Sequence, residues 1–333
     1  MPDEVRAAKE NGGRGRLSQF VDLEPATESF RDAVIEGLSQ RQKSVPSKFL
    51  YDAEGSRLFD EICAVEEYYP TRTELALLRA RAGEIADLAG RDTVLVEYGS
   101  GASVKVRILL DALSEPAGYV AIDISGEHLR QAASAVAADY PDLEVSAVCA
   151  DYTSDFELPS TANGDTRLGF FPGSTIGNFT PAAAVDFLRH AAATLGSGGA
   201  LVIGADLKKD PDILKAAYND AAGVTAEFNL NLLTRINREL GGTFDVEAFS
   251  HDAVWNSRMS RIEMHLRSRR TQAVEVDGTP FRFAEGETIH TENSYKFDIV
   301  QFRHMAGEAG FRPERTWTDR EGLFSVHYLA VAA

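Results

Sequence analysis

Four stretches place acids, glycines or amides where a ligand could meet them: Glu97-Tyr98-Gly99-Ser100-Gly101, Asp123, Asp151-Tyr152 and Gly173-Ser174-Thr175-Ile176-Gly177-Asn178. Each closes a short apolar run of the kind that forms a buried strand. Gly99 and Gly101 permit backbone angles barred to other residues, and the amides that open the following helix are unpaired donors. Such a turn suits a nucleoside-bearing cofactor. Asp123 lies 24 residues beyond Gly99, about where an acid accepts ribose hydroxyl hydrogens. Asp151 offers an acceptor to an adenine amino group, and Tyr152 offers a ring face. Three successive strand ends with this chemistry point to an adenosine cofactor.

The kind of cofactor follows by comparison. The dinucleotide fingerprint needs a third glycine at position 104, where Val104 stands, and no Gly-x-x-x-x-Gly-Lys-Ser/Thr run cradles a triphosphate. A closing pair of strands is what a methyltransferase sheet has, so S-adenosylmethionine fits best, with Lys105 placed to bind its methionyl carboxylate. The sulfonium is already activated, so methyl transfer to an amine needs no metal. His290-Thr291-Glu292 would put two ligands on one strand face, but the seven histidines show no metal-ligand spacing, and no metal is expected. A nucleophile elbow, a His-Glu-x-x-His and a Cys-x-x-Cys are all missing; Cys63 and Cys149 are expected to be buried thiols.

The elements that hold these residues alternate as strand and helix. After a polar stretch expected to be disordered (1–16), Thr27 opens a helix carrying Phe30, Val34, Ile35 and Leu38. A loop with Phe49, Tyr51 and Asp52 leads to a short helix with Leu58, Phe59 and Ile62, and Thr73 caps the next helix. Strands ending near Tyr98, Asp123, Cys149, Phe171 and Ala205 then build a parallel sheet with crossover helices. From about Pro211 the pattern changes to two helices and a strand-rich stretch with an Asp277-Gly278 turn, like an inserted lobe. The sheet resumes with a helix over 299–309 and two strands, 315–318 and 324–331. The expected fold is α/β, a Rossmann-like class I methyltransferase sheet with a second, inserted α+β substrate-binding domain. The first comprises 73–207 and 297–333, the second 17–72 and 208–296.

With 34 Lys plus Arg against 51 Asp plus Glu, the formal charge of -17 argues against nucleic acid and anionic membrane as partners. No apolar leader or membrane-length segment is evident, so a cytoplasmic monomer acting on a small molecule is expected.

The motifs together resemble the histidine-specific methyltransferases of ergothioneine biosynthesis. The similarity runs from about residue 27 onward, through Phe-Leu-Tyr-Asp-Ala-Glu-Gly-Ser (49–56), Glu-Tyr-Tyr-Pro-Thr-Arg-Thr-Glu (67–74), Gly-Ser-Thr-Ile-Gly-Asn (173–178), Arg-Ile-Glu-Met (261–264) and Thr-Glu-Asn-Ser (291–294). The resemblance implies cofactor contacts from Tyr51, Gly99, Lys105, Asp123, Asp151 and Tyr152. It implies substrate contacts from Tyr68, Asn178, Tyr218, Met264, Glu292, Asn293 (through backbone at most) and Ser294, with Asn178 and Tyr51 in catalytic positions. The implied reaction is three successive methylations of the L-histidine α-amine, giving hercynine. Tyr98, Ala102 and Tyr152 stand where leucine, threonine and phenylalanine are usual in the family.

The residues themselves agree with much of this. With period two, His290, Glu292 and Ser294 share a strand face, and polar Thr291 and Asn293 on the other argue for a pocket rather than plain core. Glu292 would accept an imidazole hydrogen and Ser294 hold the other ring nitrogen, while Tyr68 and Tyr218 offer hydroxyls and ring faces to a forming cation. Met264 reads as packing, a role compatible with lining a pocket. Three other readings stand beside this one. They are a family member acting on a tryptophan derivative, an inactive cofactor-binding regulator, and a nicotinamide dehydrogenase.

Overall fold

The computed structural model describes residues 7–8, 15–25, 29–101, 104–159 and 166–332. The first strands in the chain are β1 (Ala7–Ala8), β2 (Gln19–Asp22), β3 (Lys43–Ser44), β4 (Thr93–Tyr98), β5 (Gly118–Asp123), β6 (Val145–Cys149), β7 (Thr166–Phe171) and β8 (Ala200–Asp206). Then come β9 (Phe249–Asn256), β10 (Arg261–Ser268), β11 (Gln272–Val276), β12 (Thr279–Phe283), β13 (Thr288–Tyr295), β14 (Phe311–Thr318) and β15 (Phe324–Val331). Between them lie α1 (Phe30–Ser39), α2 (Ala53–Ala64), α3 (Tyr69–Ala89), α4 (Val104–Ala112), α5 (Gly126–Asp139), α6 (Pro181–Leu195), α7 (Pro211–Ala217), α8 (Val224–Leu240) and α9 (Ile299–Glu308).

One sheet runs β1-β2-β6-β5-β4-β7-β8-β15-β14. Strands β2 and β4 to β8 are parallel, so the ends of β4 to β8 share one edge; β15 and β14 turn back antiparallel, the closing pair expected of a methyltransferase sheet. Both faces are covered, which is why β4 is buried at every position. Leu78, Leu109 and Leu129 of α3, α4 and α5 pack on one face; Phe187 and Phe302 of α6 and α9 pack on the other. The Rossmann-like α/β arrangement is the one the sequence implies.

A second sheet, β3-β13-β10-β9, with the hairpin β11-β12 and helices α1, α2, α7 and α8, forms the other lobe around its own core. Asp277 and Gly278 both take positive φ (46° and 73°), which lets a two-residue turn match the twist of β11 and β12.

Several boundaries differ from the sequence reading. Residues 19–22, placed with the second lobe, form β2 on the large sheet, because Phe20 and Val21 find apolar cover beside β6. Helix α3 starts at Tyr69 with Pro70 in its first turn, so Thr73 lies inside the helix rather than capping it. Thr27 lies outside the described residues; α1 is capped by Ser29, whose side chain accepts from the Asp32 amide. The strand expected over 315–318 begins at Phe311, and a register shift lies between Pro313 and Arg315.

Candidate active site

The turn after β4 keeps the geometry that its glycines suggest. Gly99 has φ 73°, and a Cβ added there would lie 3.9 Å from the Tyr152 hydroxyl, so the open backbone sits under that ring. Tyr152 in turn packs edge-on against Tyr98, Phe171 and Phe187. Asp123 and Asp151 stand at the ends of the two neighbouring strands. One oxygen of each is engaged in its own turn, Asp123 by the Ser125 amide (2.8 Å) and Asp151 by the Thr153 amide and hydroxyl (2.9 and 2.6 Å). Burial raises the Asp123 carboxyl above its usual range, with the Ser125 amide opposing. A glycine bend, two acids and an aromatic face on one edge fit an adenosyl cofactor.

Lys105 is not a free cation. Its Nζ lies 2.6 Å from the buried carboxylate of Glu74 on α3, which also accepts the Gly173 amide at 2.8 and 2.9 Å. Glu74 therefore ties together α3, α4 and the loop after β7. Its sequence signal was present: Leu77 and Leu78, three and four residues on, are core residues, so Glu74 occupies an apolar stripe.

On the other side, Phe59, Ile62, Tyr68, Tyr218, Phe228, Met264 and Glu292 line a pocket in the second lobe. Met264 and Glu292 are cross-strand partners on β10 and β13. The pairing slips there: Met264 faces Glu292, but His265 faces His290, so Thr291 is the extra residue of a bulge. Its hydroxyl bonds to Asn229 and to the Met264 carbonyl. Strict alternation had put His290 on the face of Glu292 and Ser294. The bulge turns His290 to the opposite face, with Asn293, whose Oδ1 is buried without a partner. Glu292 and Ser294 stay together.

Burial raises the Glu292 carboxyl to about 7, with Lys296 opposing. Tyr51 packs on Phe59 and Phe228, both ring centroids 5.4 Å away, beside the pocket those two rings line. Asn178 ends a 3-10 turn, Thr175–Asn178, that abuts the end of β13; a Cβ on Gly177 would come within 2.8 Å of the Tyr295 carbonyl. Glycine thus permits the approach that sets Asn178 between the lobes.

Sequence reasoning missed the group at that junction. Asp206, the last residue of β8, is buried and accepts the Tyr69 hydroxyl (2.8 Å), Lys209 Nζ (2.5 Å) and Lys296 Nζ (2.7 Å). Lys296 also reaches Tyr218 Oη (2.9 Å) and Ser294 Oγ (2.8 Å). Burial works against both charges, but Lys296 and then Lys209 hold Asp206 below the usual carboxylate range, and Asp206 holds Lys296 above the usual lysine range. Burial brings Lys209 down to about 8 against the pull of Asp206. The two chain crossings pair here, with Phe297 N donating to Asp206 O and Lys208 N to Phe297 O, both 2.9 Å. The acid at the end of an apolar strand was a signal; nothing local marked Lys296.

The histidine spacing also misled. Across β10 and β13, His265 and His290 stack at 4.7 Å beside Glu263, three side chains able to hold a metal ion. They lie on the sheet face opposite Glu292, and the Glu263 carboxylate is already held by Arg261 and Asn256.

The family model described as histidine-specific methyltransferase, SAM-dependent, matches residues 30–331. A histidine N-alpha-methyltransferase from Mycolicibacterium smegmatis is 45% identical, covering 93% of this chain and 97% of its own; one from Mycobacterium tuberculosis is 43% identical, covering 91% and 95%. A 4-dimethylallyltryptophan N-methyltransferase from Aspergillus fumigatus is 27% identical, covering 90% and 93%. With its glycine bend and strand-end acids, the chain belongs to the S-adenosylmethionine-dependent, histidine-specific methyltransferases.

Proposed function

We propose that the protein transfers three methyl groups in succession from S-adenosylmethionine to the α-amine of L-histidine, giving hercynine for ergothioneine biosynthesis. The observation that carries this is the pairing of Glu292 with Met264 on one pocket wall, beside the hydroxyls of Tyr218 and Ser294. An acid and a hydroxyl on one wall match the two ring nitrogens of an imidazole, whereas an indole has a single N–H and needs a larger apolar wall. This favours histidine over a tryptophan derivative.

The bound cofactor supplies an activated methyl group, and the chain's task is to hold a neutral amine in line with it. Gly99, Asp123, Asp151 and Tyr152 would hold the adenosyl part, and Lys105 the carboxylate end, with Glu74 fixing its direction. Asn178 orients the amine without requiring it to be charged. Tyr68, edge to face with Tyr218 at 6.1 Å, offers a hydroxyl and a ring face that accommodate the growing ammonium. Tyr51 closes the space between pocket and cofactor.

Incubation with methyl-labelled S-adenosylmethionine and histidine should yield mono-, di- and trimethylated histidine in sequence, resolved by mass spectrometry. In a panel of amino acids, histidine should give the highest kcat/KM by at least about 100-fold over tryptophan, because an indole, with one N–H and no ring acceptor, leaves the buried hydroxyl unpaired. A flat panel would reject the assignment of Glu292. Cofactor binding without turnover of any amine would instead favour a regulator.

A further inference from the structure

Lys296 has no solvent exposure along its side chain, and its ammonium carries three protons and no lone pair. All three protons are used, on Asp206, Tyr218 Oη and Ser294 Oγ. The last two oxygens also bond each other at 2.7 Å, and the phenol, the stronger acid, donates to the alcohol. Ser294 Oγ then accepts from Tyr218 and from Lys296 at once. Both its lone pairs are filled, and among the described residues its own proton has no acceptor, so it is left for a ligand in the pocket.

We propose that Lys296 is a positioning residue that, with the Tyr218 hydroxyl, fixes Ser294 Oγ as a hydrogen-bond donor, so that the substrate ring must turn an unprotonated nitrogen to Ser294 and its N–H to Glu292. The inference rests on histidine being the substrate. It adds a rule of selection: one tautomer of the neutral ring fits, and a doubly protonated ring meets a donor and a buried cation together. Without the lysine, Ser294 Oγ regains a free lone pair and can accept as well as donate.

Two histidine isosteres separate these cases. Pyrrol-2-ylalanine and pyrrol-3-ylalanine each keep one ring N–H, at different positions, and replace the other nitrogen with C–H. One presents its N–H to Glu292; the other presents it to Ser294. Calorimetry on protein saturated with S-adenosylhomocysteine should show the two differing by about 100-fold in affinity for wild type. In Lys296→Met the difference should shrink at least tenfold, because the weaker isostere gains an acceptor. Asp206 keeps Lys209 and Tyr69 as partners in this variant, which favours a folded protein. S-adenosylhomocysteine affinity equal to wild type confirms the fold, and if it is lost Lys296→Gln is read by the same ratio. An unchanged ratio in the folded variant overturns the inference while leaving histidine as substrate. Wild-type protein that binds neither histidine nor an isostere removes the substrate assignment and the inference with it.

Discussion

Glu292→Gln should weaken histidine binding by about 100-fold and, in the same protein, raise thermal stability above neutral pH. The binding loss follows from replacing a charge-assisted acceptor of the imidazole N–H with a neutral amide. The stability gain follows from the direction of the carboxyl's titration. Burial lifts Glu292 from 4.5 to about 7, with Lys296 opposing, so between those values the folded protein holds a proton that the unfolded chain has released. Stability therefore falls as pH rises through that window, and above it the ionised carboxylate costs the ligand-free fold about 3 kcal/mol. Below pH 4.5 both states are protonated and the cost vanishes. Melting curves of wild type and Glu292→Gln should coincide near about pH 4 and separate by several degrees at about pH 8, the variant melting higher. Saturating histidine should close that gap in wild type alone. Parallel melting curves across the range would mean that the carboxyl is not screened from water, and the pocket would need to be redrawn.

The site was legible in the sequence where one element carries its own signal. A glycine bend between an apolar run and a helix, acids closing neighbouring strands, and a polar run on a strand of the inserted lobe can all be read locally. What escaped were groups whose meaning depends on elements far apart in the chain. Asp206 ends a strand, Lys296 follows one, and Tyr69 begins a helix; only folding brings them within hydrogen-bonding distance. The bulge at Thr291 escaped for another reason. Period-two reasoning assumes an unbroken ladder, and the extra residue is stabilised by Asn229, a side chain from α8 that no strand pattern contains. His290 was consequently assigned to the wrong face while Glu292 and Ser294, both beyond the bulge, were assigned together correctly.

Gly204 carries the second large effect. It lies in the middle of β8, opposite Val326, and a Cβ there would stand 2.0 Å from Glu74 Oε1 and 3.0 Å from the Phe324 ring. Gly204→Ala must therefore displace the Glu74 carboxylate, releasing both the Gly173 amide and Lys105. Breaking a buried pair from one side costs about 3–5 kcal/mol, which for a chain of this length lowers the melting temperature by roughly 5 °C. Gly173 opens the loop that carries Asn178, and Lys105 stands in the first turn of α4. Cofactor affinity should therefore fall at least about tenfold alongside stability. The cause can be isolated with a double-mutant cycle. In a Glu74→Ala background the carboxylate is gone, and adding Gly204→Ala should cost less than about 1 kcal/mol. A penalty of the same size in both backgrounds would place the clash with Phe324 instead, and Glu74 would lose its role as the tie between the helices and the cofactor edge.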